Sequence, residues 1–210
     1  MRAIAAREDI RDLILDAAER LLVRYGYKKM TIEDIATEVG IGKGTIYLHF
    51  NSKEEIALAR IDRVISRLKD RLWEIAQKQD SATNRVREML ITRVLHRFDA
   101  VQQYTESLRD VLASIRPALL KQRERHFEDE AKILAQVLNQ GKRTREFTFK
   151  DSLSTAQALL IATNSLLPYS LTTSQLGKRE EVKEKVSRIA NLVLVGLLDR
   201  NSAKTRSKRT

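Results

Sequence analysis

Apolar residues recur at intervals of three and four along most of this chain, the period of an α-helix with one buried face. Between Glu8 and Tyr25 that face is made by Ile10, Leu13, Ile14, Ala17, Ala18, Leu21 and Leu22, and Gly26 stands where a first helix should end. A short second helix is predicted after Thr31. This threonine is an N-cap candidate with Asp34 three residues on, a carboxylate variant of the capping box; Ile32, Ile35, Ala36 and Val39 form the stripe, and Gly40 closes it. After Gly42 a third helix runs from about Lys43 to Phe50, with Ile46 and Phe50 one turn apart on its inner side. Two short helices joined by a glycine turn behind a longer one make a helix-turn-helix. Its outer surface then carries Lys43, Thr45, Tyr47, Leu48 and His49, a mix of donors, acceptors and one apolar contact suited to a DNA groove.

The helical period continues. Asn51 or Ser52 caps a fourth helix whose Ile56, Ala59, Val64, Leu68, Leu72 and Ile75 lead to about Lys78 and join the two halves of the chain. A fifth begins at Asp80 or Ser81 and reaches Phe98, followed by a helical stretch near Tyr104 to Ile115. Pro117 is expected in the first turn of the next helix, which stops at Gly141. Residues 142–150 read as a loop that tucks Phe147 and Phe149 against the body. Asp151 starts a helix to about Leu171, and the last helix runs from about Arg179 to Asp199.

Composition agrees with an all-α chain. Only 2 prolines and 7 glycines occur in 210 residues, and 42% of positions are hydrophobic, enough for one large core or a small module fused to a larger one. The formal charge of +11 invites a polyanionic partner, but its location matters more. Arg200, Lys204, Arg206, Lys208 and Arg209 concentrate much of the excess in the last eleven residues, of which 201–210 is a basic tail expected to be disordered, while charges over residues 1–52 balance. The absence of cysteine excludes disulfides, thiolate nucleophiles and cysteine-ligated zinc. No apolar run reaches the roughly 20 residues that cross a bilayer, and no export signal is visible, so a cytoplasmic protein without membrane contact is expected.

Three stretches together carry a resemblance: "ILDAAERLLVRYGY" in the first helix, "MTIEDIATEVGIGKGTIYLHF" across the helix-turn-helix, and "NSKEEI" entering the fourth helix. Over residues 8–56 they resemble the DNA-binding domain of the TetR family of bacterial transcriptional regulators. The resemblance implies an N-terminal helix-turn-helix domain (1–53) joined through the fourth helix to an all-helical effector-binding and dimerisation domain (54–200). It also implies a homodimer on a palindromic double-stranded operator, most often as a repressor released by a small-molecule effector. By position, Thr31, Lys43, Gly44, Thr45, Tyr47, Leu48, His49 and Lys53 fall on the family's DNA contacts. Lys43 and Thr45 are placed for base edges, Leu48 for a thymine methyl, and Tyr47, His49 and Lys53 for phosphates. Gly42 departs from the serine common at that cap.

Trp73, Phe98, Tyr104, Phe127 and Tyr169 are candidates to line an effector pocket, though ordinary core packing accounts for each more simply. The last two helices carry more apolar surface than one core face needs, so Leu160, Asn164, Leu167, Val186, Ile189, Val193 and Leu197 are expected at a four-helix dimer interface. His96 with Asp99, and His126 with Glu130, are read as solvated helix faces rather than metal ligands. No cofactor and no catalytic constellation is expected. Two further readings stay open: a nonspecific DNA binder using the basic tail, and an enzyme with an appended DNA-binding module.

Overall fold

The computed structural model describes residues 2–102, 105–168 and 177–198. Its helices follow in the order α1 (Arg2–Lys29), α2 (Ile32–Val39), α3 (Lys43–Tyr47), α4 (Lys53–Ala76), α5 (Ala82–Val101), α6 (Thr105–Arg143), α7 (Ser152–Thr163) and α8 (Arg179–Leu197). Among the described residues the only β-type pairing is an isolated antiparallel bridge between Phe147 and Leu198. The chain is all-α, as the hydrophobic period predicts.

Two compact units form. The first takes residues 1–64 together with 101–121, so it runs past the expected boundary at 53 and recruits a later segment. Its core gathers Ile14, Leu15, Leu21 and Leu22 of α1, Ile35 of α2, Ile46 and Phe50 around α3, Ile56 of α4, and Val111 and Ile115 of α6. Gly26 adopts φ 76 and ψ 165, so regular helix geometry breaks after Tyr25, where the sequence places its end. A side chain there would collide with Ser107 at 2.7 Å.

The second unit takes residues 65–100 and 122–210. Leu68, Leu72, Val86, Leu90, Leu134, Leu138, Leu159, Leu160, Ala190 and Leu194 make one continuous apolar core. The segment after α6 closes its edge: Phe147 is buried, and the Thr148 amide donates to the Leu197 carbonyl at 2.9 Å. Nearby, the Glu146 carboxylate accepts from the Ala82 and Thr83 amides at 3.1 Å each, capping α5 from 63 and 64 residues away.

Helix boundaries differ from expectation: α3 ends at Tyr47 rather than about Phe50, α7 at Thr163 rather than about Leu171, and the stretches expected on either side of Pro117 form one helix. Pro117 lies inside α6 rather than at the start of a helix. Pro117 and Ala113, whose carbonyl loses its helical donor, are both exposed, on a face where a backbone acceptor is open to solvent.

Candidate nucleic-acid interface

Local chemistry sets the helix-turn-helix. The Thr31 hydroxyl accepts from the Asp34 amide at 3.1 Å, and Asp34 accepts from the Thr31 amide at 2.9 Å, completing the capping box at the start of α2. The Thr31 hydroxyl, which donates to the Asp34 carboxylate at 2.7 Å, and then the Thr31 amide hold that carboxyl below its ordinary range. At the other end Gly40, in the left-handed region at φ 78, donates to the carbonyls of Ala36 and Thr37 and turns the chain toward α3.

Helix α3 is then seated from below. Ile46 and Phe50 are fully buried, and the Arg11 guanidinium lies 4.9 Å from the Phe50 ring centroid. The upper side faces out: Tyr47 is 48% and Leu48 71% exposed, Lys43 and Gly44 are exposed, and Thr45 and His49 are half-buried. A Cβ built on Gly44 would meet nothing within 4 Å, so the backbone there is open to close approach. Lys43 makes one long ion pair, 3.4 Å to Glu33, between two well-exposed side chains; such a pair is weak and easily exchanged for a phosphate or a base.

Lys53, expected at a phosphate, also has partners within its own domain. Its ammonium donates to the carbonyls of Tyr27 and Met30 at 3.0 and 3.1 Å and sits 4.4 Å from the Tyr27 ring centroid. Carbonyls at the end of α1 lack helical partners, and the lysine supplies them. Tyr27 donates its hydroxyl to Glu54 at 3.1 Å; burial, with the Glu54 charge beside it, pushes the phenol up to about 12.

A further set of side chains fixes the mount of the reading head. Buried Arg60 meets Glu19 at 2.6 Å, and Arg63 meets Asp16 at 2.7 Å, Asp12 at 3.3 Å and Glu19 at 3.7 Å, binding α4 to α1. Arg20 and Glu38 pair at 2.8 Å between α1 and α2. No sequence signal marks these partners, since helical spacing pairs neighbours one turn apart and these lie 18 to 51 residues apart.

In the second unit three of the expected interface residues turn inward and the other four are partly exposed. Leu160, Leu167 and Val186 are buried in the chain's own core, and Val193 and Leu197 pack partly against it. Ile189 is half-buried, and Asn164 accepts from Arg93 at 2.8 Å. The outward apolar residues are instead Ile161 of α7 and Leu192 and Val195 of α8, exposed by 61, 70 and 64%. A helix advances about 100° per residue, so a shift of one position turns a side chain from core to solvent.

Of the effector candidates, Phe98 is fully buried, Phe127 packs partly against the core and Trp73 is 39% exposed. Tyr104, Tyr169 and the tail 201–210 lie outside the described residues. His126 and Glu130 are buried rather than solvated; Glu130 joins Arg93 and Arg97 in an internal cluster.

Residues 14–59 match the model of the tetR family of bacterial regulatory proteins. YhgD, an uncharacterized HTH-type transcriptional regulator of Bacillus subtilis, is 39% identical over 74 residues, 35% of this chain and 35% of that protein. This match therefore spans about a third of the curated relative's length. A solved transcriptional regulator from Cytophaga hutchinsonii shares the fold, with a TM-score of 0.75 at 24% identity over 90% of this chain and 98% of that one. A structure concerned with control of antibiotic production by bacterial hormones gives a TM-score of 0.65 at 25% identity, covering 91% of this chain and 98% of that one.

Proposed function

We propose that this chain, whose residues 14–59 match the model of the tetR family of bacterial regulatory proteins, acts as a homodimeric, sequence-specific DNA-binding repressor that leaves a palindromic operator when a small molecule binds its second unit. The observation that carries the DNA-binding half is the two-sided seating of α3, with Ile46 and Phe50 buried beneath and Lys43, Gly44, Tyr47 and Leu48 exposed above. In this reading Lys43 and Thr45 contact base edges, Leu48 touches a thymine methyl, and Thr31, Tyr47 and His49 fix register on phosphates. Lys53 contributes by holding the end of α1 in place.

The second copy docks through the face that carries Ile161, Leu192 and Val195, pairing α7 and α8 with their equivalents in a four-helix bundle. Two recognition helices then read half-sites about 34 Å apart, or a multiple of that distance. Effector binding favours a dimer in which α4 has moved the two heads out of this spacing, a population shift toward the unbound form. Linkage requires that the effector bind the free dimer more tightly than the operator complex.

The test replaces Lys43 by alanine and follows fluorescence anisotropy on an operator fragment found by selection from random DNA, beside a scrambled fragment, at one salt concentration. Loss of operator binding by about tenfold or more, with the scrambled fragment little changed, supports base reading. Equal loss on both would make Lys43 a phosphate contact, and equal wild-type affinity for both fragments would make the protein a nonspecific DNA binder.

A further inference from the structure

The second unit buries more positive than negative charge. Arg93, Arg97 and Glu130 have side chains 2, 10 and 1% exposed, and among the described residues Glu130 is the only buried carboxylate. Arg93 is fully employed as a clamp. Its Nε donates to Glu130 at 2.7 Å, its Nη1 to the Leu160 carbonyl and the Thr163 hydroxyl at 3.3 and 3.0 Å, and its Nη2 to Asn164 at 2.8 Å, tying α5 to α6 and to the end of α7.

Arg97, one turn further along α5, is different. It reaches the second oxygen of Glu130 and the Arg93 carbonyl, which occupies two of its N–H groups among the described residues. A clamp between α5 and α6 is already complete without it. Burial would lift the Glu130 carboxyl, but the charges of Arg97 and Arg93 and their hydrogen bonds hold it below the ordinary range, so it stays an anion and neutralises one guanidinium. The second guanidinium, always charged, is left in a low-dielectric interior, a costly placement that folding alone gives no reason to keep. On α5 itself the nearby positions Val94 and Phe98 are apolar and buried.

We infer that Arg97 is the anion-recognising group of the effector site, and that the effector is a small organic acid whose carboxylate pairs with this guanidinium while its apolar body lies among the helices of the second unit. This deepens the proposed induction by small molecule and rests on it. A planar carboxylate matches the guanidinium fork, and a charge-assisted pair out of water gains far more than one at the surface. The bound acid adds a second negative charge beside the two guanidiniums that share Glu130.

Thermal unfolding of the full chain, followed by circular dichroism, tests this with octanoate, dodecanoate and naphthoate against the corresponding primary alcohols, acetate and inorganic phosphate. Octanoate, dodecanoate or naphthoate should raise the melting temperature, with dissociation constants about tenfold or more below those of the alcohols. Arg97→Met should melt, without ligand, no lower than the parent, because a balanced Arg93–Glu130 pair remains, and should lose the preference for the acid. Arg97→Lys should keep charge attraction and a reduced preference. A purely architectural Arg97 predicts the opposite, a less stable Arg97→Met protein and no discrimination. Equal stabilisation by alcohols or by phosphate, an unchanged acid response in Arg97→Met, or no response to any of the acids would overturn the assignment. Operator release is measured separately by anisotropy. Acids that bind without releasing DNA would leave the assignment standing and defeat the induction reading, whereas release by uncharged compounds alone would do the reverse.

Discussion

Lys53 holds two carbonyls at the end of α1 from the start of α4, so its removal should act on stability before it acts on DNA. Lys53→Met is expected to lower the unfolding free energy by about 1–2 kcal/mol in urea titration, the worth of a charged hydrogen bond to backbone. Its neighbour Tyr27 carries a pH dependence. Its phenol is raised from 10.0 to about 12, so the stability it confers is intact below pH 10 and is lost as pH rises through about 12. Tyr27→Phe should remove this alkaline component from a series of urea titrations at rising pH. In the second unit, Gly141 lies against Phe147 and Ala82 so closely that a Cβ would come within 2.4 Å of the ring and 2.8 Å of the alanine methyl. The ring is buried and has nowhere to retreat. Gly141→Ala should therefore cost about 1–3 kcal/mol despite its better helix propensity, measured by the same titration.

At the scale of elements, local signals were readable and distant ones were not. The Thr31–Asp34 box and the Gly40 terminus involve residues three or four apart, so the sequence alone displays both partners. Ile46 and Phe50 likewise declare the inner side of α3 by spacing. The destination of Lys53 depends on carbonyls 23 and 26 residues earlier, which no periodicity encodes. On α8 the apolar content was plain but its phase was not. Val182, Val186, Ala190 and Leu194 point inward, and only the packing against the rest of the unit reveals that Leu192 and Val195 point out. Pro117 misled because a proline marks a helix start only where continuing the helix is costly, and on an exposed face it costs less. Pro117→Ala restores a backbone donor in the middle of α6 and should stabilise the protein by about 1–3 kcal/mol in the same titration.

For the whole molecule, the decisive expectation is pairing. A charged residue at the centre of the Ile161, Leu192 and Val195 face should prevent burial of that face without disturbing the core beneath it. Leu192→Glu is expected to sediment as a monomer with unchanged circular dichroism and to bind a full palindrome no better than a half-site. Charge placement adds a second expectation. Arg63 is largely buried while its partners Asp12, Asp16 and Glu19 are 65, 50 and 41% exposed, so dissolved ions reach one side of this seam. Counter-ions that compete for phosphate therefore also loosen the bracket that holds the reading head. Operator affinity should decline with ionic strength along a steeper log–log slope than the cations touching DNA would give by themselves, and Arg63→Leu, already lacking the bracket, should show a weaker but flatter response.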